Sequence, residues 1–116
     1  MRILIPTDFS ELSKVAIKYA VDLSKDLEVK LMLLHVIDTN TPSMARVGSH
    51  KLQEAIKTSS ERAMKELLAS IKKDNSHNVD ISYEITSGTS IGKYVETTAL
   101  KNDIDIVCIG TKGASG

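Results

Sequence analysis

Alternation constrains this chain most. Four short runs rich in apolar residues, at 2–5, 29–37, 79–85 and 104–109, are separated by three longer stretches whose apolar residues recur three and four apart. Strand and helix taken in strict turn build a mostly parallel sheet, with right-handed crossovers and helices on both faces. The 116 residues suit one domain, 1–116, with no internal repeat, low-complexity tract or inter-domain linker.

The first run stops at Pro6, and Pro6-Thr7-Asp8 reads as a turn. Ser10 is placed to cap a helix, with Glu11 in its first turn. Leu12, Ala16, Tyr19, Ala20, Leu23 and Leu27 mark the apolar stripe of that helix, opposite Lys14, Lys18, Asp22 and Lys25. The run 29–37 is apolar almost without a break, which predicts a central strand covered on both faces. A loop with Pro42 follows, then a helix over 49–73 whose buried stripe is Leu52, Ile56, Ala63, Leu67 and Ile71. Residues 44–48 read as a weak first turn of it or as disordered. Val79, Ile81, Tyr83 and Ile85 alternate with polar residues, the pattern of a half-exposed edge strand. Gly88 makes the next turn, and Ser90 caps a third helix with apolar positions Ile91, Tyr94, Val95, Thr98 and Leu100, ending at Asn102-Asp103.

Composition narrows the function classes. Hydrophobic residues at 41% and charged residues at 26% fit a soluble globular protein. Aromatics are 3%, too few for a base-stacking platform, and 15 basic residues balance 15 acidic ones. No electrostatic footprint for DNA, RNA or anionic lipid results, and no stretch approaches the ~20 apolar residues of a membrane span. Neither nucleic acid nor membrane is therefore expected as a partner. The single Cys108 allows no intrachain disulfide and reads as a small buried hydrophobe. The chain opens on a strand-like run in place of a signal peptide, so a cytoplasmic, reducing setting is expected.

Chemistry gathers at two strand ends. Pro6-Thr7-Asp8 follows the first strand, and Gly110-Thr111-Lys112-Gly113 follows the fourth. In an open parallel sheet, ligands bind beyond the carboxyl ends of the strands where strand order reverses. If strands one and four are neighbours, both segments fall on one crevice. Asp8 can then accept from a ribose hydroxyl or an amino group, or else bond its own backbone as a turn residue. Gly110 and Gly113 let backbone approach a sugar or phosphate, though a glycine-rich chain end has the same composition. His35, at the end of a buried strand, reads as structural. His50 and His77 form no metal motif. Lys112 reads as solvated in the absence of a Walker pattern. No nucleophile elbow, zinc-protease motif or pyrophosphatase loop is present, and nothing points to a catalytic base.

These residues carry a resemblance. The opening Arg2-Ile3-Leu4-Ile5-Pro6-Thr7-Asp8-Phe9-Ser10, Leu33-Leu34-His35-Val36, Gly88, and the closing stretch Asp105 to Gly113 resemble, in order and spacing, the universal stress protein family. The resemblance implies an α/β, three-layer, Rossmann-like fold with an open parallel sheet in the order 3-2-1-4-5. The given sequence holds four of those strands, order 3-2-1-4, and neither the fifth nor the second half of the family's Gly-x2-Gly-x9-Gly-Ser/Thr phosphate motif. By the same resemblance ATP or AMP (with Mg for ATP) is the ligand, with incomplete phosphate contacts. Its site residues would be Pro6, Thr7, Asp8, Val36, Ile109, Gly110 and Gly113. Thr7 and Asp8 would meet adenine and ribose, Val36 would meet adenine through its backbone, and Ile109 would line the pocket.

The family further implies a homodimer or a tandem domain partner and a role in stress responses, with at most slow ATP hydrolysis. The alternative is a dimerisation or protein-interaction module that binds no nucleotide. Its basis is the fourth strand, 104–109, apolar but for Asp105, which as an edge calls for cover. A further strand from missing sequence or another chain would supply it, or else the adjoining helices and a dimer partner.

Overall fold

The computed structural model describes residues 1–39, 50–75 and 77–110. Strands β1 (Arg2–Pro6), β2 (Lys30–Asp38), β3 (Ile81–Gly88) and β4 (Ile106–Val107) alternate with helices α1 (Glu11–Leu23), α2 (His50–Asp74) and α3 (Ile91–Lys101). The sheet is parallel throughout, in the order β3-β2-β1-β4. The chain steps outward from β1 to β2 to β3, then returns to the far side of β1. Right-handed crossovers in opposite directions place α1 and α2 on one face and α3 on the other.

The packing shows why β2 is apolar almost throughout. Leu31 and Leu33 join Ile3 and Ile5 beneath Ala16, Ile17, Ala20, Val21, Met64 and Ile71 of the two helices. Leu34 and Val36 join Leu4 on the opposite face, under Tyr94, Val95 and Ala99 of α3. Both faces of a central strand are thus removed from water, the largest favourable contribution to this fold.

The helix ends follow local chemistry. Ser10 accepts from the Ser13 N–H at 3.2 Å, and Ser90 from the Lys93 N–H at 3.4 Å, each filling a donor that the first turn leaves open. Asn102 closes α3, its amide donating to the Thr98 carbonyl at 2.9 Å. Asp103 then takes a left-handed φ of 52°.

Several side chains point elsewhere than their periodicity predicts. On α1 the buried set is Ser13, Ala16, Ile17, Ala20 and Val21, while Tyr19 is 63% exposed and Leu27 lies exposed beyond the helix. Val15 is exposed as well. Tyr83 is half-exposed on the edge strand β3, which has no strand beyond it among the described residues. On α3, Ile91 and Leu100 are exposed, and Ala99 supplies the contact expected of Leu100. Gly88 ends β3 rather than turning the chain: a Cβ there would meet the Tyr94 ring at 2.0 Å.

Strand β4 is shorter than 104–109. It pairs with β1 through Ile3↔Ile106 and Leu4↔Val107, extended by the Asp105 N–H to the Arg2 carbonyl and the Cys108 N–H to the Leu4 carbonyl, both at 2.9 Å. The Asp105 carboxylate accepts from the Arg2 N–H at 2.8 Å, so a side chain ends the ladder. Ile106, Val107 and Ile109 are all exposed. Cys108 is half-buried against the α1 core, its thiol 3.8 Å from the Ala16 carbonyl.

Candidate functional site

The return of the chain past β1 makes a crevice at the carboxyl end of the sheet. Pairing of β1 with β2 stops at Pro6↔Leu34, so beyond Leu34 the edge of β2 that faced β1 opens onto it. The first turn of α1, the end of β4 and the start of α3 close its other sides. The hollow has a volume of about 230 Å³. Pro6, Thr7, Asp8, Val36, Ile109 and Gly110 all line it, drawn together from three segments that span more than a hundred positions of the chain. Gly113, Thr111 and Lys112 lie outside the described residues, as do the loop with Pro42 and residues 44–48.

The sequence reading missed Leu12, Ser13, Leu34 and Ile91, which also line the crevice. Ser13 had a signal: a small polar residue in the middle of a helix's buried stripe, three after the cap. Ile91 had one too, as an apolar residue directly after a helix cap, but the partner it faces is set by the fold. A larger hollow, about 540 Å³, lies between the ends of β2 and β3 and the start of α2, lined by Ile37, Thr39, Lys57 and Ser87.

The loop after β1 is held by a directed chain of hydrogen bonds. The Phe9 N–H donates to the Thr7 hydroxyl at 3.0 Å. Ser13 Oγ donates to the Ser10 carbonyl at 2.9 Å, so its contact with Thr7 Oγ1 at 2.8 Å has Thr7 as donor. The Thr7 N–H donates to the Leu34 carbonyl at 2.8 Å. The Thr7 carbonyl accepts from His35 Nδ1, also at 2.8 Å, which assigns the hydrogen to Nδ1. Every polar group of this buried threonine is bonded within the chain, and it faces the crevice as a wall. His35 is a structural residue, as its place in the sequence predicts.

Asp8 combines its two readings. Its Oδ1 accepts from the Ser10 N–H at 2.9 Å, the turn role, while the residue still lines the crevice. The Ser10 hydroxyl and then the Ser10 N–H hold its carboxyl below the ordinary carboxylate range. A carboxyl lowered in the folded state contributes stability that is complete above its unfolded value and lost as pH falls through the folded one. Urea midpoints followed from pH 6 to pH 2 are expected to show a shallower acid decline for Asp8→Asn than for the unaltered chain.

An open parallel sheet of reversed strand order, with helices on both faces, defines an α/β domain of the Rossmann-like kind. The comparisons narrow that class. The model of the universal stress protein family matches residues 1–116, and the chain belongs to that family. A universal stress protein of Methanocaldococcus jannaschii is 29% identical over 117 residues, covering 99% of this chain and 66% of the relative. The chain thus spans about two thirds of the length of that relative. Among solved structures, UspA from Lactobacillus plantarum superposes with a TM-score of 0.73 at 23% identity, covering 98% of this chain and 81% of the other. A universal stress protein solved in complex with cAMP superposes with a TM-score of 0.52 at 16% identity, over 92% of this chain and 69% of the other. At such identities the structural matches establish the shared fold. No described helix is long and apolar enough to cross a membrane.

Proposed function

We propose that the crevice binds an adenine nucleotide, and that this universal stress protein domain uses the bound nucleotide to bias its association with a partner. The observation that carries the reading is convergence: Pro6-Thr7-Asp8, Val36 and Ile109-Gly110 line one hollow at the reversal of strand order. The described residues suit the adenosine part. Asp8 offers an ionised acceptor for ribose hydroxyls, the open edge of β2 at Val36 offers backbone groups to a base edge, and Leu12, Ile91 and Ile109 offer apolar surface to its faces. No lysine or arginine is among the described lining residues, so these residues bring no cation to the phosphates. ATP would carry its Mg on those phosphates. The family relative in complex with cAMP supports an adenine ligand on this fold.

Calorimetry with ATP and AMP tests this. Binding in the micromolar range is expected, and Asp8→Ala is expected to weaken it about tenfold, the loss of one charge-assisted hydrogen bond. No heat at millimolar nucleotide would remove the reading.

A second reading rests on the exposed β4. With Ile106, Val107 and Ile109 uncovered, the domain would act as an association module with or without ligand, through a strand added at this edge. In light scattering a dimer mass at micromolar chain is its expected result, and a monomer at every concentration would exclude self-association.

A further inference from the structure

Phe9 has a left-handed backbone, φ 66°, and it is not a glycine. For a bulky side chain this conformation is disfavoured and persists only when the surroundings enforce it. The enforcing contacts are visible. The Phe9 ring lies on the His35 ring, centroids 4.5 Å apart and planes at 39°, and it packs against the core beneath α1 and α2. His35 in turn holds the carbonyl of Thr7, two residues before Phe9. The chain is therefore gripped on both sides of Asp8, at the Thr7 carbonyl and at the Phe9 ring. Neither Phe9 nor His35 lines the crevice.

We propose that Phe9 and His35 are positioning residues for the crevice: together they force the left-handed turn that presents the Asp8 carboxylate to the ligand and seats it on the Ser10 N–H. Without the ring contact the turn relaxes toward ordinary backbone, and Asp8 leaves the crevice wall. The site is preorganised at the expense of a strained residue, a recurrent arrangement where a ligand-facing group must be held before the ligand arrives. The inference rests on the nucleotide reading for its effect on affinity, but the position of Asp8 can be measured without any ligand.

Three variants separate the contributions. Phe9→Gly adopts the left-handed turn readily but has no ring to enforce it. His35→Leu keeps bulk and loses the donor. His35→Asn sets an amide where Nδ1 lies, keeping the bond to Thr7 and losing the ring. NMR titration of the Asp8 side-chain carboxyl reads its contact with Ser10. Its midpoint is expected to rise toward the ordinary carboxylate value in Phe9→Gly and His35→Leu, with His35→Asn between them and the unaltered chain. AMP affinity is expected to fall about tenfold in the first two and to recover in part in His35→Asn. An Asp8 titration unchanged in His35→Leu and Phe9→Gly overturns the proposal, whatever happens to affinity. Shifted titrations in a chain that binds no nucleotide retain the positioning role and remove the nucleotide reading. Should Phe9→Gly fail to fold, the two His35 variants decide by the same titration.

Discussion

Gly110→Ala is expected to destabilise the domain by about 2–3 kcal/mol, the cost of overpacking a close contact. A Cβ at this position would sit 2.3 Å from the Leu12 carbonyl oxygen and 3.0 Å from its carbon. Both are backbone atoms in the first turn of α1, so no rotamer change relieves the clash. Either the end of β4 moves away from the helix or the first turn of α1 unwinds. Each alternative disturbs the crevice, since Leu12 and Gly110 are two of its walls. Gly88 provides the contrast. A Cβ there approaches the Tyr94 ring more closely still, but the obstacle is the far end of a half-buried side chain and not backbone. Gly88→Ala should therefore cost less, about 1 kcal/mol. Urea denaturation of the two variants checks the ranking, with unchanged slopes showing that stability alone has altered. Equal stability of Gly110→Ala and the unaltered chain would mean that β4 does not pass so close beneath α1.

Thr7→Val should cost about 2 kcal/mol, because it leaves buried polar groups without partners while preserving shape. The Phe9 N–H loses its acceptor and Ser13 Oγ loses its donor, in the same buried pocket. Thr7→Ser keeps the hydroxyl and removes one methyl group, for about 1 kcal/mol. The ordering Val worse than Ser distinguishes the hydrogen-bond chain from simple packing, where the methyl would matter more. Ser13→Ala breaks the same chain one link further on. The double variant Thr7→Val/Ser13→Ala should cost less than the sum of the two single changes, by about 0.5–1 kcal/mol. Additive costs would show that the two hydroxyls act independently.

The chain shows plainly which of its features are local. Ser10 and Ser90 cap their helices as read, because a cap is a bond between residues three apart and needs nothing else in the molecule. The nearly continuous apolar run of β2 announced a strand covered twice, and Leu33 and Leu34 are indeed buried on opposite faces. Alternation of strand and helix sufficed for a parallel sheet, since a parallel return requires a crossover. Order within the sheet came from the family resemblance, because alternation alone does not say on which side of β1 the last strand lies. The candidate site was legible to the same extent: its segments could be named, and their meeting hung on that one adjacency.

Sequence by itself determined what kind of element each segment forms and which strand ends carry turn, carboxylate and glycine chemistry. These depend on periodicity, capping and turn residues, all within a few positions of one another. Tertiary structure alone decided which residues of α1 are buried, with Tyr19 outside and Ser13 inside, and the grip of Phe9 and His35 on the turn at Asp8. It also decided why Gly110 is a glycine. The reason there is space, not backbone freedom: the carbonyl of Leu12, 98 positions earlier, occupies the place where a side chain would begin.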